Sequence, residues 1–99
     1  MNASQETKVA YFSYIGSIEV PAWTIEHFPQ SGNCDSFIKE FIEIPEIKEE
    51  LSEIDPENLK TELKEYGAWT NEQLEDHQEN LERILWITYC NIIEEDHGE

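Results

Sequence analysis

Three histidines and two cysteines are the side chains with which this chain could bind a metal or attack a substrate, and their spacing argues against both. His27, His77 and His97 stand alone, and Cys34 and Cys90 are far apart. There is no HExxH, no CxxC and no histidine pair one helical turn apart, the spacings that place ligands on one metal ion. The acidic run Asp55 to Tyr66 begins like a calcium loop but has Leu59 at the fifth position and Lys60 at the sixth, where an oxygen ligand and a glycine are required. Catalytic signatures are equally absent: no GxSxG and no phosphate-cradling loop, with four glycines in the whole chain. Cys34 lies near an expected helix start, which lowers a thiol pKa, but polyanionic surroundings oppose a thiolate and no histidine is placed to activate it. The expectation is a protein that is not an enzyme and carries no metal and no cofactor.

What is abundant is carboxylate. Twenty-three acids against six bases give a formal net charge of -17 over 99 residues. Up to Cys34 the acids are Glu6, Glu19 and Glu26 with Lys8; the other twenty acids and five bases follow. On an expected long helix, Glu72, Glu75, Asp76, Glu79 and Glu82 recur at helical spacing, and Glu46, Glu49, Glu50 and Glu53 repeat the pattern upstream, as do Glu40 and Glu43. Like charges one turn apart cost a helix about 0.2 to 0.5 kcal/mol per pair, so such rows persist against local stability. Two readings stay open, a binding surface and a solvated face that keeps the protein soluble. As a surface, the rows would repel nucleic acid and anionic membrane and attract a basic protein. Carboxylates about 5 to 6 Å apart on a helix imitate a phosphate backbone, so the expected partner is the basic surface of a nucleic-acid-binding protein.

The elements that must position these residues follow from periodicity. Lys8 to Phe28 reads as two or three antiparallel strands: KVAYFSYI, a Gly16-Ser17 turn, then IEVPAWTIEHF interrupted at Pro21, with a third short strand expected from Ala22 to Phe28. Residues 29 to 33, PQSGN, read as a loop. Asp35 is an expected N-cap, with Phe37, Phe41 and Ile44 at helical spacing, and Pro45 ends that helix and opens another to Ile54. Asp55-Pro56 starts a third helix with a Leu59, Leu63, Tyr66 stripe and a Gly67 stop. Thr70 and Gln73 match a capping box and are expected to open the longest helix, running to about Glu95. In it Leu74, Leu81, Leu85, Thr88 and Ile92 form one face and Trp86, Cys90 and Ile93 another, so it should be central. The fold class is therefore α+β in a single acidic domain, 1–99, with flexible ends at 1–7 and 94–99. No apolar run approaches the roughly 20 residues of a membrane span, and MNASQETK lacks an apolar signal core, so a cytoplasmic protein with two free thiols is expected.

Residues 59–95 resemble a C-terminal pattern of small uncharacterised acidic proteins of bacteria, phages and plasmids, through the EYGAW turn (Tyr66-Gly67-Ala68-Trp69), the DH step and the LWI stretch (Leu85-Trp86-Ile87). In composition the chain is also similar to acidic antirestriction and anti-CRISPR inhibitors, which imitate nucleic acid. Trp69 precedes the expected N-cap and is placed to pack on Leu74 as a hydrophobic staple. Trp23 is either core or an exposed anchor for a partner. Two functions follow: an acidic, non-enzymatic inhibitor that occupies a basic nucleic-acid-binding surface, or an adaptor or oligomerising module that binds through its sheet edge and Trp23, its acid serving solubility.

Overall fold

The computed structural model describes residues 6–28 and 35–97. An antiparallel hairpin, β1 (Thr7–Phe12) and β2 (Gly16–Pro21), pairs Thr7 with Pro21 through to Phe12 with Gly16. Gly16 has φ +86°, a turn conformation that glycine adopts without a Cβ penalty. Ala10, Ile18 and Val20 point into the core.

The third strand expected over Ala22 to Phe28 is instead a helix, α1 (Ala22–His27). Pro21 decides this. It ends β2 in an extended conformation, and the Thr24 hydroxyl donates back to its carbonyl at 2.6 Å, closing the first turn. The β-branched and aromatic composition favoured a strand, but that propensity is weak against a turn that buries Thr24.

Helices then follow in sequence. In α2 (Asp35–Phe41), Ile38 and Phe41 are buried. Ile44 is extended, as a residue before proline tends to be, and Pro45 opens α3 (Pro45–Ser52), which buries Ile47 and Leu51. At α4 (Pro56–Lys64) the Asp55 carboxylate accepts the Glu57 N–H at 2.9 Å, the expected cap. Gly67, at φ +70°, donates its N–H to the Lys64 carbonyl at 3.0 Å and turns the chain away. Glu62 is buried in α4, its carboxylate accepting the Tyr14 N–H at 2.7 Å from the hairpin turn.

The capping box forms, but it does not open the long helix. Thr70 N–H donates to Gln73 Oε1 at 2.8 Å and Gln73 N–H to Thr70 Oγ1 at 3.2 Å, heading a single 3₁₀ turn, Gln73–Glu75. Asp76 is then extended and its carboxylate accepts the Glu79 N–H at 3.2 Å, so it caps α5 (His77–His97). Two side chains hold the break in place. Buried Asn80 donates to the Leu74 carbonyl at 2.8 Å, and Arg83 donates to the Gln73 carbonyl at 3.0 Å.

As expected, α5 is central, packing against α4, β1 and α2 and burying Ile84, Leu85, Ile87, Thr88, Tyr89 and Ile92. Tyr66 and Trp86, expected in apolar faces, are largely exposed. Regular structure reaches into both ends expected to be flexible, since β1 starts at Thr7 and α5 continues past Glu94. The remainder, residues 1–5 and 98–99, lies outside the described residues. No described helix is long and apolar enough to cross a membrane.

Candidate functional site

The two acidic rows differ in what surrounds them. The row at 72–82 is not continuous on one helix, because the break before α5 leaves Glu72 and Glu75 on the 3₁₀ segment and makes Asp76 a cap. Much of its charge is also compensated. Arg83 Nη2 lies 2.9 Å from Glu79, Lys39 Nζ of α2 3.3 Å from Glu82, and Lys60 Nζ of α4 3.9 Å from Glu75. The Glu79–Arg83 pair is one turn apart on α5. Arg83 also donates to Asn80 Oδ1 at 2.8 Å and lies 5.5 Å from the Trp69 ring centre. Trp69 is half-buried and packs against the core, with Arg83 across its face.

The α3 row keeps its acid. Glu46 and Glu49 are exposed on α3 and Glu50 is half-buried; Glu53, the C-cap of the helix, is exposed and is not among the residues lining the surface that the others share. α3 packs against β2, and Glu50 accepts the Glu19 N–H at 3.2 Å. That amide belongs to the outer edge of β2, so Glu50 occupies the edge hydrogen-bonding site there. Glu6, Glu19, Glu46, Glu49 and Glu50 consequently line one trough of about 430 Å³, together with Thr7, Val20, Pro21 and Trp23. No lysine or arginine is among its lining residues. The carboxylates are spread along it, and among the described residues no three His, Cys, Asp or Glu side chains are grouped as metal ligands.

Glu6 and Glu19 were missing from the sequence-level candidates. The alternation of β2 indicates that Glu19 faces away from buried Ile18 and Val20, but its approach to Glu50, 31 residues on, is a tertiary contact with no local signal. Trp23 stands at the trough's end on α1, 43% exposed, edge-on to Phe41 at 6.4 Å and to His27 at 5.9 Å. It is neither core nor detached from the core.

The other candidates are dispersed. His27 is exposed beside Trp23, His77 is exposed at the start of α5, and His97 ends α5. Cys90 is half-buried on α5, while Cys34 lies outside the described residues. Comparison with protein-family models, curated proteins and solved structures finds no match to this chain.

Proposed function

We propose that this chain is a non-enzymatic binding protein that sets an acidic face against the basic, nucleic-acid-binding surface of a partner protein. The single observation that carries the reading is the unequal compensation of its two acidic rows. Glu75, Glu79 and Glu82 are matched by Lys60, Arg83 and Lys39, whereas Glu46 and Glu49 share a trough with Glu6, Glu19 and Glu50 that has no basic residue in its lining. Carboxylates kept only for solubility have no need to converge from the residue before β1, from β2 and from α3. Concentrating like charge costs stability, and a facing cation removes that cost. The -17 net charge adds long-range steering. Occupation of such a partner excludes DNA or RNA without any reaction, the strategy of antirestriction and anti-CRISPR inhibitors, because releasing the partner's counterions supplies the same electrostatic term that phosphates would.

The test is capture from a host lysate at low and at high salt, followed by elution with duplex DNA. Basic nucleic-acid-binding proteins should be retained at low salt, released by the DNA, and lost with the E46K/E49K variant. Retention of a non-basic protein, insensitive to both salt and DNA, would overturn the reading.

A further inference from the structure

Trp23 is a wall shared by two adjoining depressions. On one side lies the acidic trough. On the other is an apolar groove of about 300 Å³, lined by Trp23, His27, Phe37, Phe41 and Ile44 with Glu40 at its margin. The aromatic floor is interlocked: Phe41 is 6.0 Å from Phe37 and 5.4 Å from Tyr89, which in turn stacks on Phe28 at 4.8 Å. An exposed indole braced in this way loses little conformational freedom when a partner covers it, which is the property of an anchor residue.

Building on the acidic-face reading, we propose that Trp23 and its two flanking depressions form a docking site for a basic peptide segment of the partner in which an apolar side chain stands beside lysines or arginines. The apolar side chain seats in the groove between Trp23, Phe37 and Ile44. Its basic neighbours meet Glu46, Glu49, Glu19 and Glu6 on the trough side and Glu40 at the groove margin.

Charge selects this occupant. Apart from His27, every titratable side chain lining the two depressions is a glutamate. A two-fold pairing of this face with a second copy would bring the same glutamates opposite one another, which like-charge repulsion opposes. An arginine can also lie over the exposed face of the indole. The site thus combines an electrostatic part that any polycation satisfies with an apolar part that discriminates among basic partners.

Fluorescence anisotropy with three labelled synthetic peptides separates these parts: Lys/Arg around one leucine, the same peptide with alanine for leucine, and a scrambled peptide of neutral polar residues. The leucine peptide should bind about tenfold more tightly than the alanine peptide. W23A, verified as folded by circular dichroism, should remove that discrimination and retain salt-dependent binding of both basic peptides. E46Q/E49Q should weaken both and keep the discrimination. Equal binding of the leucine and alanine peptides to the parent protein would overturn the docking site while leaving the acidic-face reading intact, and it needs no protein variant. Binding of both basic peptides that is unaffected by E46Q/E49Q and by salt would overturn the acidic-face reading itself. A dimer found by ultracentrifugation without peptide and abolished by W23A would also overturn the docking site, since a second copy would be the occupant.

Discussion

Tyr89 Oη donates a 2.7 Å hydrogen bond to Thr24 Oγ1, joining residues 65 apart in the chain, and the Thr24 hydroxyl in turn donates to the Pro21 carbonyl at 2.6 Å. This relay ties α1 to the middle of α5 and places Trp23, the residue before Thr24, at the trough. Both side chains are fully buried, so each polar atom depends on the other. Y89F should cost about 1 kcal/mol, since Thr24 keeps its acceptor. T24V should cost more, about 1 to 3 kcal/mol, because it leaves the buried Tyr89 hydroxyl without a partner. Denaturant titration of the single variants and the double variant should give less than the sum. Full additivity would show that the relay does not act as a unit.

Alkaline pH gives a second reading of the same bond. Burial raises the Tyr89 hydroxyl from an ordinary value of 10.0 to about 12, and the hydrogen bond to Thr24 offsets this only in part. The folded state therefore holds the proton more tightly than the unfolded chain, so the contribution is complete below pH 10 and is lost as pH rises towards 12. Stability of the parent protein should fall over that interval by more than that of Y89F. Parallel curves would show that Tyr89 ionises as readily in the folded state as in the unfolded chain.

Arg83 and Lys39 each pair with a glutamate of α5, but they should differ strongly in importance. The Arg83 side chain is 15% exposed and joins Glu79, Asn80, the Gln73 carbonyl and the Trp69 ring, so it fixes the 3₁₀ segment onto α5. R83M should cost about 2 kcal/mol, as expected for losing hydrogen bonds to a charged, mostly buried donor. The Lys39–Glu82 pair is exposed on the lysine side, and K39M should cost less than about 1 kcal/mol. Hydrogen exchange at residues 70–75 should rise in R83M and stay near parent levels in K39M. Comparable losses in both variants would contradict the assigned clamp.

Local signals made most of the architecture legible. Asp55-Pro56, Pro45 and Gly67 act through their own backbone geometry, and each punctuates the chain where the sequence places it. The signal failed where two local preferences competed. Ala22 to Phe28 has strand-forming composition, yet Pro21 and Thr24 close a helical turn. Thr70 and Gln73 form a genuine capping box, but Asp76 caps again seven residues before Arg83, and the later cap opens the helix. The candidate site was legible as two rows of acid and not as a surface. Arg83 at four residues from Glu79 is visible in the sequence, whereas Lys39 on Glu82 and Glu50 on the Glu19 amide depend on how helices and hairpin pack.

Salt should stabilise the protein. With a net charge of -17 and five glutamates around one trough, self-repulsion opposes the compact state, and added ions screen it over about 10 Å at 0.1 M. The melting temperature at neutral pH should rise from low to moderate salt, and E46Q/E49Q should raise the low-salt value and flatten the dependence. A melting temperature that is flat or falling in the parent protein would show that self-repulsion is not a significant contribution.

Charge reversal distinguishes the two acidic rows as partner surfaces, provided the substitutions spare residues with structural bonds. Reversing Glu72, Asp76 and Glu79 together would be a poor test, because it removes the α5 cap and the partner of Arg83. Glu50 must be kept as well, since it holds the Glu19 amide. Suitable variants are E46K/E49K in the trough and E72K/E75K on the 3₁₀ segment, all four positions being exposed. Both change the net charge equally, so any general steering effect is matched between them. Against a captured basic partner, E46K/E49K should slow association by about tenfold or more and reduce its salt dependence, while dissociation changes less. E72K/E75K should slow association by a smaller factor, because Glu75 already faces Lys60 and the trough is left intact. Stopped-flow association at several salt concentrations measures both. Equal slowing by the two variants would mean that net charge alone steers the partner, and that the convergence of Glu6, Glu19 and the α3 carboxylates does not define where it binds.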